Sequence, residues 1–191
     1  MKNTLLSRGI LLAIAILTAC QSARPSKPLP ATANATALST RNNCYSLLHQ
    51  LLDEQKDVSL LRFIKREPDD LKTLVKAIAA DSGKGAKMLE EFARQDPAIR
   101  LDDYRLPPGE TATREAEAAT TRKEILQRTG QDFELALLLS QFQALGYARH
   151  LAKVGAENDP QPERSRALAT LGEEMARHYH QLFALLRSKT K

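Results

Sequence analysis

Three side chains have the types and spacing that a metal site needs: Glu54, Glu174 and His178. Glu174 and His178 are four residues apart, so a helix places them one turn apart on a shared face. Together with Asp57 and His180 they could form a mononuclear metal site. Such a site would be poor, because catalytic zinc usually has three well-placed protein ligands. The alternative that we favour is a carboxylate of Glu54 or Glu174 paired with a buried His178, because buried charges are normally paired.

A di-iron centre is not expected, since the chain lacks the pattern that such a centre requires. Di-iron bundles use a Glu from each of two helices and a Glu-x-x-His from each of the other two. No Glu-x-x-His occurs in this chain. The middle of the predicted inward faces carries small residues instead, at Ser82, Gly85, Ser140 and Ala144. We therefore predict no catalytic residue, no bound metal and no other cofactor, with Glu54, Glu174 and His178 as the metal candidates that remain.

Nucleophilic chemistry has no clear support in the sequence. His178 has no neighbouring serine, so a Ser-His-Asp arrangement cannot be argued. Cys44 lies near a predicted helix start, where a lowered pKa could make it a redox thiol. A single cysteine without a resolving partner is more typical of a small core residue, which is the interpretation we favour.

The other histidines and tyrosines near the predicted helix faces are expected to be structural. His49 and His150 lie off the apolar faces and are predicted at the surface. Tyr147 and Tyr179 lie near those faces, where an aromatic core residue with a hydrogen-bonded hydroxyl is the usual arrangement.

These residues belong to a segment, 42–191, that is predicted to be all-helical. It is rich in Ala, Leu, Glu, Lys and Arg, and it shows no alternating strand pattern. Four long helices and one short extra helix are predicted, at about 43–67, 68–95, 111–128, 131–154 and 163–186. Helices of about 24 residues are roughly 36 Å long, and four of matching length suit an antiparallel four-helix bundle.

Small residues in the second predicted helix lower its intrinsic stability, so tertiary packing must offset that loss. Each glycine costs a helix about 1 kcal/mol relative to alanine, and Gly83 and Gly85 lie in its middle beside Ser82. We expect the leucines of helix 131–154 to pack closely against these positions.

The first 19 residues predict a secretory signal peptide, because a charged start precedes a short apolar run and small residues. The apolar run is shorter than the roughly 20 residues of a membrane-spanning helix. The run ends in Leu-Thr-Ala-Cys at 17–20, which resembles the lipobox of bacterial lipoproteins and implies that Cys20 carries acyl chains such as palmitate. Two or more chains would anchor the protein stably, and residues 20–41 are predicted as a flexible tether.

The charge distribution argues against a nucleic-acid partner. The chain has a formal net charge of +5, but five of its basic residues and none of its acidic ones lie in residues 1–41. The remaining 23 basic and 23 acidic residues make the predicted domain neutral. A nucleic-acid-binding domain would carry its positive excess on the folded unit.

Four short stretches carry a family resemblance. They are Pro-Asp-Asp-Leu-Lys at 68–72, Ile-Ala-Ala-Asp-Ser-Gly-Lys-Gly at 78–85, Thr-Gly-Gln-Asp-Phe-Glu at 129–134 and Arg-His-Tyr-His at 177–180. Together they resemble the ferritin-like "predicted outer membrane protein" family of bacterial envelope proteins of unknown function. The resemblance covers most of residues 43–187 and implies a ferritin-like four-helix bundle with no established reaction. Ser82 and Leu145 stand where that family usually has histidine, so two metal-binding positions are blank.

The predicted function is a non-catalytic structural or interaction module of the bacterial cell envelope. We expect the protein to face the periplasm, on the outer membrane rather than the inner one. The predicted partners are the membrane, through acyl chains on Cys20, an unidentified envelope protein and a second copy of the chain, with no nucleic acid. The alternative is a metal-binding or redox protein with a degenerate ferritin-like metal site at Glu54, Glu174 and His178.

Overall fold

A computed structural model describes residues 31–58 and 68–189, with side chains from residue 35 onward. The described residues are all-helical and contain no strand. They form α1 (Ala31–Lys56), α2 (Asp69–Gln95), α3 (Pro108–Gln127), α4 (Gly130–Asn158) and α5 (Pro162–Lys189). The prediction of an all-α fold is confirmed for this part of the chain. No helix in it combines the length and apolarity needed to cross a lipid bilayer.

Proline lies at the start of three helices. Pro68 precedes α2, while Pro108 and Pro162 begin α3 and α5. The fixed φ of proline suits the first helical turn, where its missing N–H costs no hydrogen bond. Asp69 and Asp70 lie in the first turn of α2, where negative charge interacts favourably with the positive end of the helix dipole.

The flexible tether predicted for residues 20–41 is wrong for its second half, because α1 already begins at Ala31. Arg41, the last residue of the predicted tether, makes tertiary contacts. Arg41 is only 2% exposed, and its guanidinium donates hydrogen bonds to Asn42 (3.0 Å) and to the carbonyl oxygen of Ala98 (3.0 Å). Helix α1 ends at Lys56, whereas the predicted helix continued to residue 67. Residues 59–67 lie outside the described residues, as do the predicted signal peptide and Cys20.

The four long helices pack side by side, and each runs antiparallel to the helices that it contacts. In each pair, later residues of one helix lie beside earlier residues of the other. The residue pairs are His49–Glu90 and Lys56–Gly83 for α1 and α2, Asp81–His178 and Gly85–Leu171 for α2 and α5, and Gly146–Tyr179 and Gly155–Leu168 for α4 and α5. Helix α1 also packs on α4. The four helices therefore enclose one apolar core.

Helix α3 lies on the outside of this arrangement and packs against α4. Ile125 is its buried residue. Arg114 of α3 donates a hydrogen bond to the Tyr147 hydroxyl (3.2 Å), and Gln143 of α4 donates one to Glu117 (3.2 Å). Residues 96–129 therefore lead from the end of α2 along the outside of the molecule to the start of α4.

The inward faces agree with the sequence pattern in two helices and differ from it in two. Helix α2 buries Leu71, Val75, Ile78, Ser82, Gly85 and Leu89, and α5 buries Leu168, Leu171, Met175, His178 and Leu182, as predicted. In α1, steps of three and four from Cys44 predict Leu47, Leu51 and Glu54 on the inward face, but the buried leucines are Leu48 and Leu52. In α4 they include Gln141, Leu145 and Ala148 instead of Ser140, Ala144 and Tyr147. Apolar residues occur on more than one side of both helices, so the sequence pattern of each helix is compatible with more than one inward face.

Gly85 permits the close packing that its position in α2 predicts, but against different helices. A Cβ atom on Gly85 would lie 2.9 Å from δ-carbons of Leu52 on α1 and Leu171 on α5. The predicted contact with leucines of helix 131–154 is therefore wrong. A Cβ at this position would force both leucine side chains to shift, because they fill the space that it would occupy.

Candidate functional site

Of the three metal candidates, His178 alone is buried, with 1% of its surface exposed on α5. Its Nε2 atom lies 2.9 Å from an oxygen of Asp81 on α2, and its Nδ1 atom lies 3.1 Å from the side-chain oxygen of Gln181. Both ring nitrogens therefore have partners. The prediction that a carboxylate pairs with buried His178 is right in kind, but the carboxylate belongs to Asp81.

Glu54 and Glu174 do not join His178 in a ligand group within the described residues. Glu54 is exposed on α1, where it accepts a hydrogen bond from Gln50 (3.2 Å). Glu174 is half-buried on α5. The further candidates, Asp57 and His180, are both exposed. The placement of Glu54 on an inward face fails because α1 is rotated relative to the predicted face.

Asp81 is the residue of this site that the sequence analysis missed. Lys84 donates to one carboxylate oxygen (2.9 Å), while His178 and Arg177 (3.4 Å) contact the other. Partial burial raises the pKa of Asp81, but the hydrogen bonds with Lys84 and His178 outweigh it, so the pKa lies below its usual value. Its position one residue before the inward-facing Ser82 is the feature of the sequence that could indicate Asp81 as a partner of His178.

The interior does not fit a ferritin-type di-iron centre. The Ser82 hydroxyl oxygen and the Gln141 side-chain oxygen are buried and have no hydrogen-bond partner within the described residues. Leu145 and Met175 are also buried there. Two iron ions need several carboxylates and imidazoles as ligands. These side chains offer instead a hydroxyl, an amide and the weakly coordinating thioether of Met175, while Leu145 has no ligand atom. No chemical step through such a centre follows from this structure.

A second ionic cluster, centred on Asp159, lies where the end of α4 and the start of α5 meet the middle of α1. The side chain of Asp159 is 0% exposed. It accepts hydrogen bonds from the Tyr45 hydroxyl (2.7 Å), from two nitrogens of Arg164 (3.0 Å each) and from the backbone N–H of Gln161 (2.8 Å). Arg164 also lies 3.2 Å from Asp96. Every oxygen of Asp159 is used, which indicates a structural role.

These contacts shift two pKa values in opposite directions. Burial raises the pKa of Asp159, but the hydrogen bonds from Arg164, Tyr45 and Gln161 together lower it by more. The pKa of Asp159 therefore lies below its usual value. Burial and the hydrogen bond to Asp159 raise the pKa of Tyr45. The cluster is therefore held as an ionised carboxylate with a protonated phenol.

Cys44 is a free, buried thiol on α1. Its Cβ lies 3.4 Å from the position that a Cβ on Gly155 would occupy. Burial raises the pKa of the thiol to about 11. Because the thiolate is the reactive form, this environment favours the core interpretation of Cys44 over the redox one.

His49 lies at the surface between α1 and α2, with 21% of its side chain exposed, and His150 is exposed on α4. His49, Asp53 and Glu90 each place a ligand atom within 4.8 Å of the others. They form the one such group of three metal-ligating side chains in residues 31–58 and 68–189. The sequence indicates that His49 and Asp53 share a face of α1, but it does not indicate which residue of α2 lies opposite.

An apolar strip, defined here as Leu135, Leu139, Phe142, Tyr179 and Phe183, lies on the outer side of α4 and α5. The Phe142 ring stacks on Tyr179, with centroids 4.0 Å apart, and lies 6.3 Å from Phe183. Leu135, Leu139 and Phe183 are 43%, 51% and 46% exposed. The α4 members are four and three residues apart, so they follow one helix face. Tyr179, which was expected in the core, packs against the core but is only half-buried, and its ring forms part of this surface strip.

Tyr147 also differs from its predicted place in the core. It is half-buried on α4, and Arg114 of α3 donates a hydrogen bond to its hydroxyl. It therefore packs against the edge of the core and joins α3 to α4.

No protein-family model, curated protein or solved structure that was compared with the chain matches it. The ferritin-like resemblance therefore stays a prediction from the four sequence stretches.

Proposed function

We propose that the chain is a lipid-anchored protein of the bacterial cell envelope in which a ferritin-like four-helix bundle acts as a non-catalytic structural or interaction module facing the periplasm. The observation that carries this proposal is the apolar strip, in which Leu135, Leu139 and Phe183 are each at least 43% exposed. Large exposed apolar patches on folded domains are typical of interaction sites. The partner is an envelope protein that covers this strip.

The topology supports the ferritin-like arrangement. Helices α1 and α2 form one antiparallel pair, and α4 and α5 form another. The two pairs are joined by residues 96–129, which lead from one end of the molecule to the other. Ferritin-like bundles have one long crossover connection of this kind.

The N-terminal residues support a membrane anchor at one end of the bundle. With Cys20 lipidated, ten residues, 21–30, would precede α1, and a flexible linker of ten residues has a root-mean-square span of about 18 Å. Cys44 lies level with Gly155, near the end of α4. Helix α1 therefore extends past α4 by about ten residues, or about 15 Å. Arg24 and Lys27 would each be attracted to anionic lipid by about 1 kcal/mol.

With this anchor, the apolar strip would lie toward the end of the bundle that is distant from the membrane. Leu139 is sixteen residues before Gly155, which corresponds to about 24 Å along α4 toward the opposite end of the bundle. A strip at that distance is accessible to a protein in the periplasm and poorly placed to enter the anchoring bilayer. The geometry therefore favours a protein partner over a lipid surface.

Photocrosslinking in living cells tests the interaction. A benzophenone amino acid is placed at Leu139 in the full-length chain, with the same substitution at exposed Lys153 on α4 as the control. We expect a discrete adduct with an envelope protein from position 139 and none from position 153. An adduct of twice the chain mass would identify a second copy as the partner. The absence of any adduct specific to position 139 would contradict an interaction through the strip.

Metabolic labelling tests the anchor separately. Cells receive an alkyne analogue of palmitate, and the labelled protein is detected after membrane fractionation. We expect Cys20→Ser to lose both the label and membrane attachment, while Cys44→Ser retains them. Equal labelling of the Cys20→Ser variant and the wild type would rule out lipidation at Cys20.

A further inference from the structure

Packing of α1 against α2 brings one imidazole and two carboxylates together at the surface. His49 and Asp53 lie one turn apart on the same face of α1, and Glu90 lies opposite them on α2. His49 Nε2 is 3.1 Å from a carboxylate oxygen of Glu90, and the three ligand atoms lie within 4.8 Å of one another. Ligand atoms in a tetrahedral zinc site are about 3.3–3.6 Å apart, given metal–ligand distances of about 2.0–2.2 Å. Small side-chain rotations would therefore bring the three ligand atoms to the spacing of a tetrahedral zinc site.

The cluster is open to solvent. The side chains of His49, Asp53 and Glu90 are 21%, 45% and 54% exposed. A cation can reach all three without any movement of the helices, and water can complete its coordination. The two helices hold the ligands on ordered backbone, which favours a defined geometry.

The local charge favours a cation. The carboxylates of Asp53, Asp57 and Glu90 all lie near one ammonium group, that of Lys56. Lys56 pairs with Asp53, but its side chain is 42% exposed and long, so a metal ion can displace it at little cost.

The types of donor select the class of ion. Calcium and magnesium prefer sites made entirely of oxygen atoms, whereas imidazole with carboxylates suits zinc and other first-row transition metals. We propose that His49, Asp53 and Glu90 bind one divalent transition-metal ion, with Zn²⁺ as the representative ion, and that water occupies the remaining position. This site is distinct from the Glu54, Glu174 and His178 candidates, and it does not depend on the proposed interaction function.

Calorimetric titration of the full-length chain with Zn²⁺ tests the proposal. The protein is purified in detergent and first freed of metal with a chelator. We expect one Zn²⁺ per chain, with at least tenfold weaker binding in His49→Gln and in Glu90→Gln. The matched controls are His150→Gln, an exposed histidine of α4, and Glu54→Gln, an exposed carboxylate of α1, both of which bind as the wild type does.

A gain-of-affinity variant separates metal binding from loss of structure. Lys56→Gln removes the cation that competes for Asp53, so we expect it to bind Zn²⁺ several times more tightly than the wild type. Circular dichroism verifies that all variants keep the wild-type helix content. The proposal is overturned if the wild type binds no Zn²⁺, or if His49→Gln and Glu90→Gln bind it as tightly as the wild type. Loss of binding in the control variants would also overturn it.

Discussion

The carboxylate of Asp159 and the carboxylates beside His49 both lie between helices, and the two groups differ in how fully their oxygens are used. At the end of the bundle, buried Asp159 accepts four hydrogen bonds from Tyr45, Arg164 and Gln161. On the surface between α1 and α2, Asp53 is half exposed and pairs with Lys56, while Glu90 contacts His49. The first group has no capacity left for another ligand, whereas the second has several free lone pairs.

The difference shows why clustering alone does not identify a binding site. Burial makes an unpaired charge costly, so the donors around Asp159 are needed for folding. Exposure keeps the ionic contacts of Asp53 and Glu90 weak, because water competes with them and screens them. Weak existing contacts can be exchanged for a metal ion, while the contacts of Asp159 cannot.

The largest expected effect is the loss of the Asp159 carboxylate. Asp159→Ala leaves the Arg164 guanidinium and the Tyr45 hydroxyl without their buried partner, so we expect the free energy of unfolding to fall by about 3–5 kcal/mol. Urea unfolding followed by circular dichroism measures the change. A loss below about 1 kcal/mol would show that the cluster is not structural and would remove the contrast with the surface group.

The second prediction concerns acid stability. The folded-state pKa of Asp159 is lowered, so its contribution to stability is present above the unfolded value of about 3.9 and is lost as the pH falls through the lower folded value. We therefore expect the free energy of unfolding to fall more steeply below about pH 4 in the wild type than in Asp159→Asn. The pKa of Asp81 is also lowered, but Asp81 is present in both proteins, so the difference between the two curves reports Asp159. Parallel curves would contradict the prediction.

The sequence predicts α2 to α5 well because their signals are local, whereas α1 runs from Ala31 to Lys56 instead of the predicted 43–67. Prolines mark three helix starts, and the inward faces of α2 and α5 follow single apolar stripes. In α1, leucines at adjacent positions offer two possible inward faces, Leu47 with Leu51 and Leu48 with Leu52. The core selects the second pair through Gly85, which receives Leu52. That choice depends on another helix and cannot be made from α1 alone.

The candidate sites were predicted less well because they depend on pairs of residues far apart in the chain. Asp81 and His178 are 97 positions apart, and His49 and Glu90 are 41 positions apart. Periodicity indicates which side of its own helix a residue occupies, but not which residue lies opposite on the neighbouring helix. His178 was therefore recognised as an inward-facing histidine in need of a carboxylate, while Asp81 was not recognised as that carboxylate.

The smallest expected effect tests the open group directly. In metal-free protein, Asp53→Ala removes the exposed contact with Lys56, and exposed ion pairs on a helix contribute only about 0.3–0.5 kcal/mol. Alanine also favours the helix more than aspartate does, so we expect the free energy of unfolding to change by less than about 0.5 kcal/mol in urea. A loss above about 1.5 kcal/mol would mean that Asp53 holds α1 in place as Asp159 holds the end of the bundle. The surface group would then be a structural cluster, and its resemblance to a metal site would follow from packing alone.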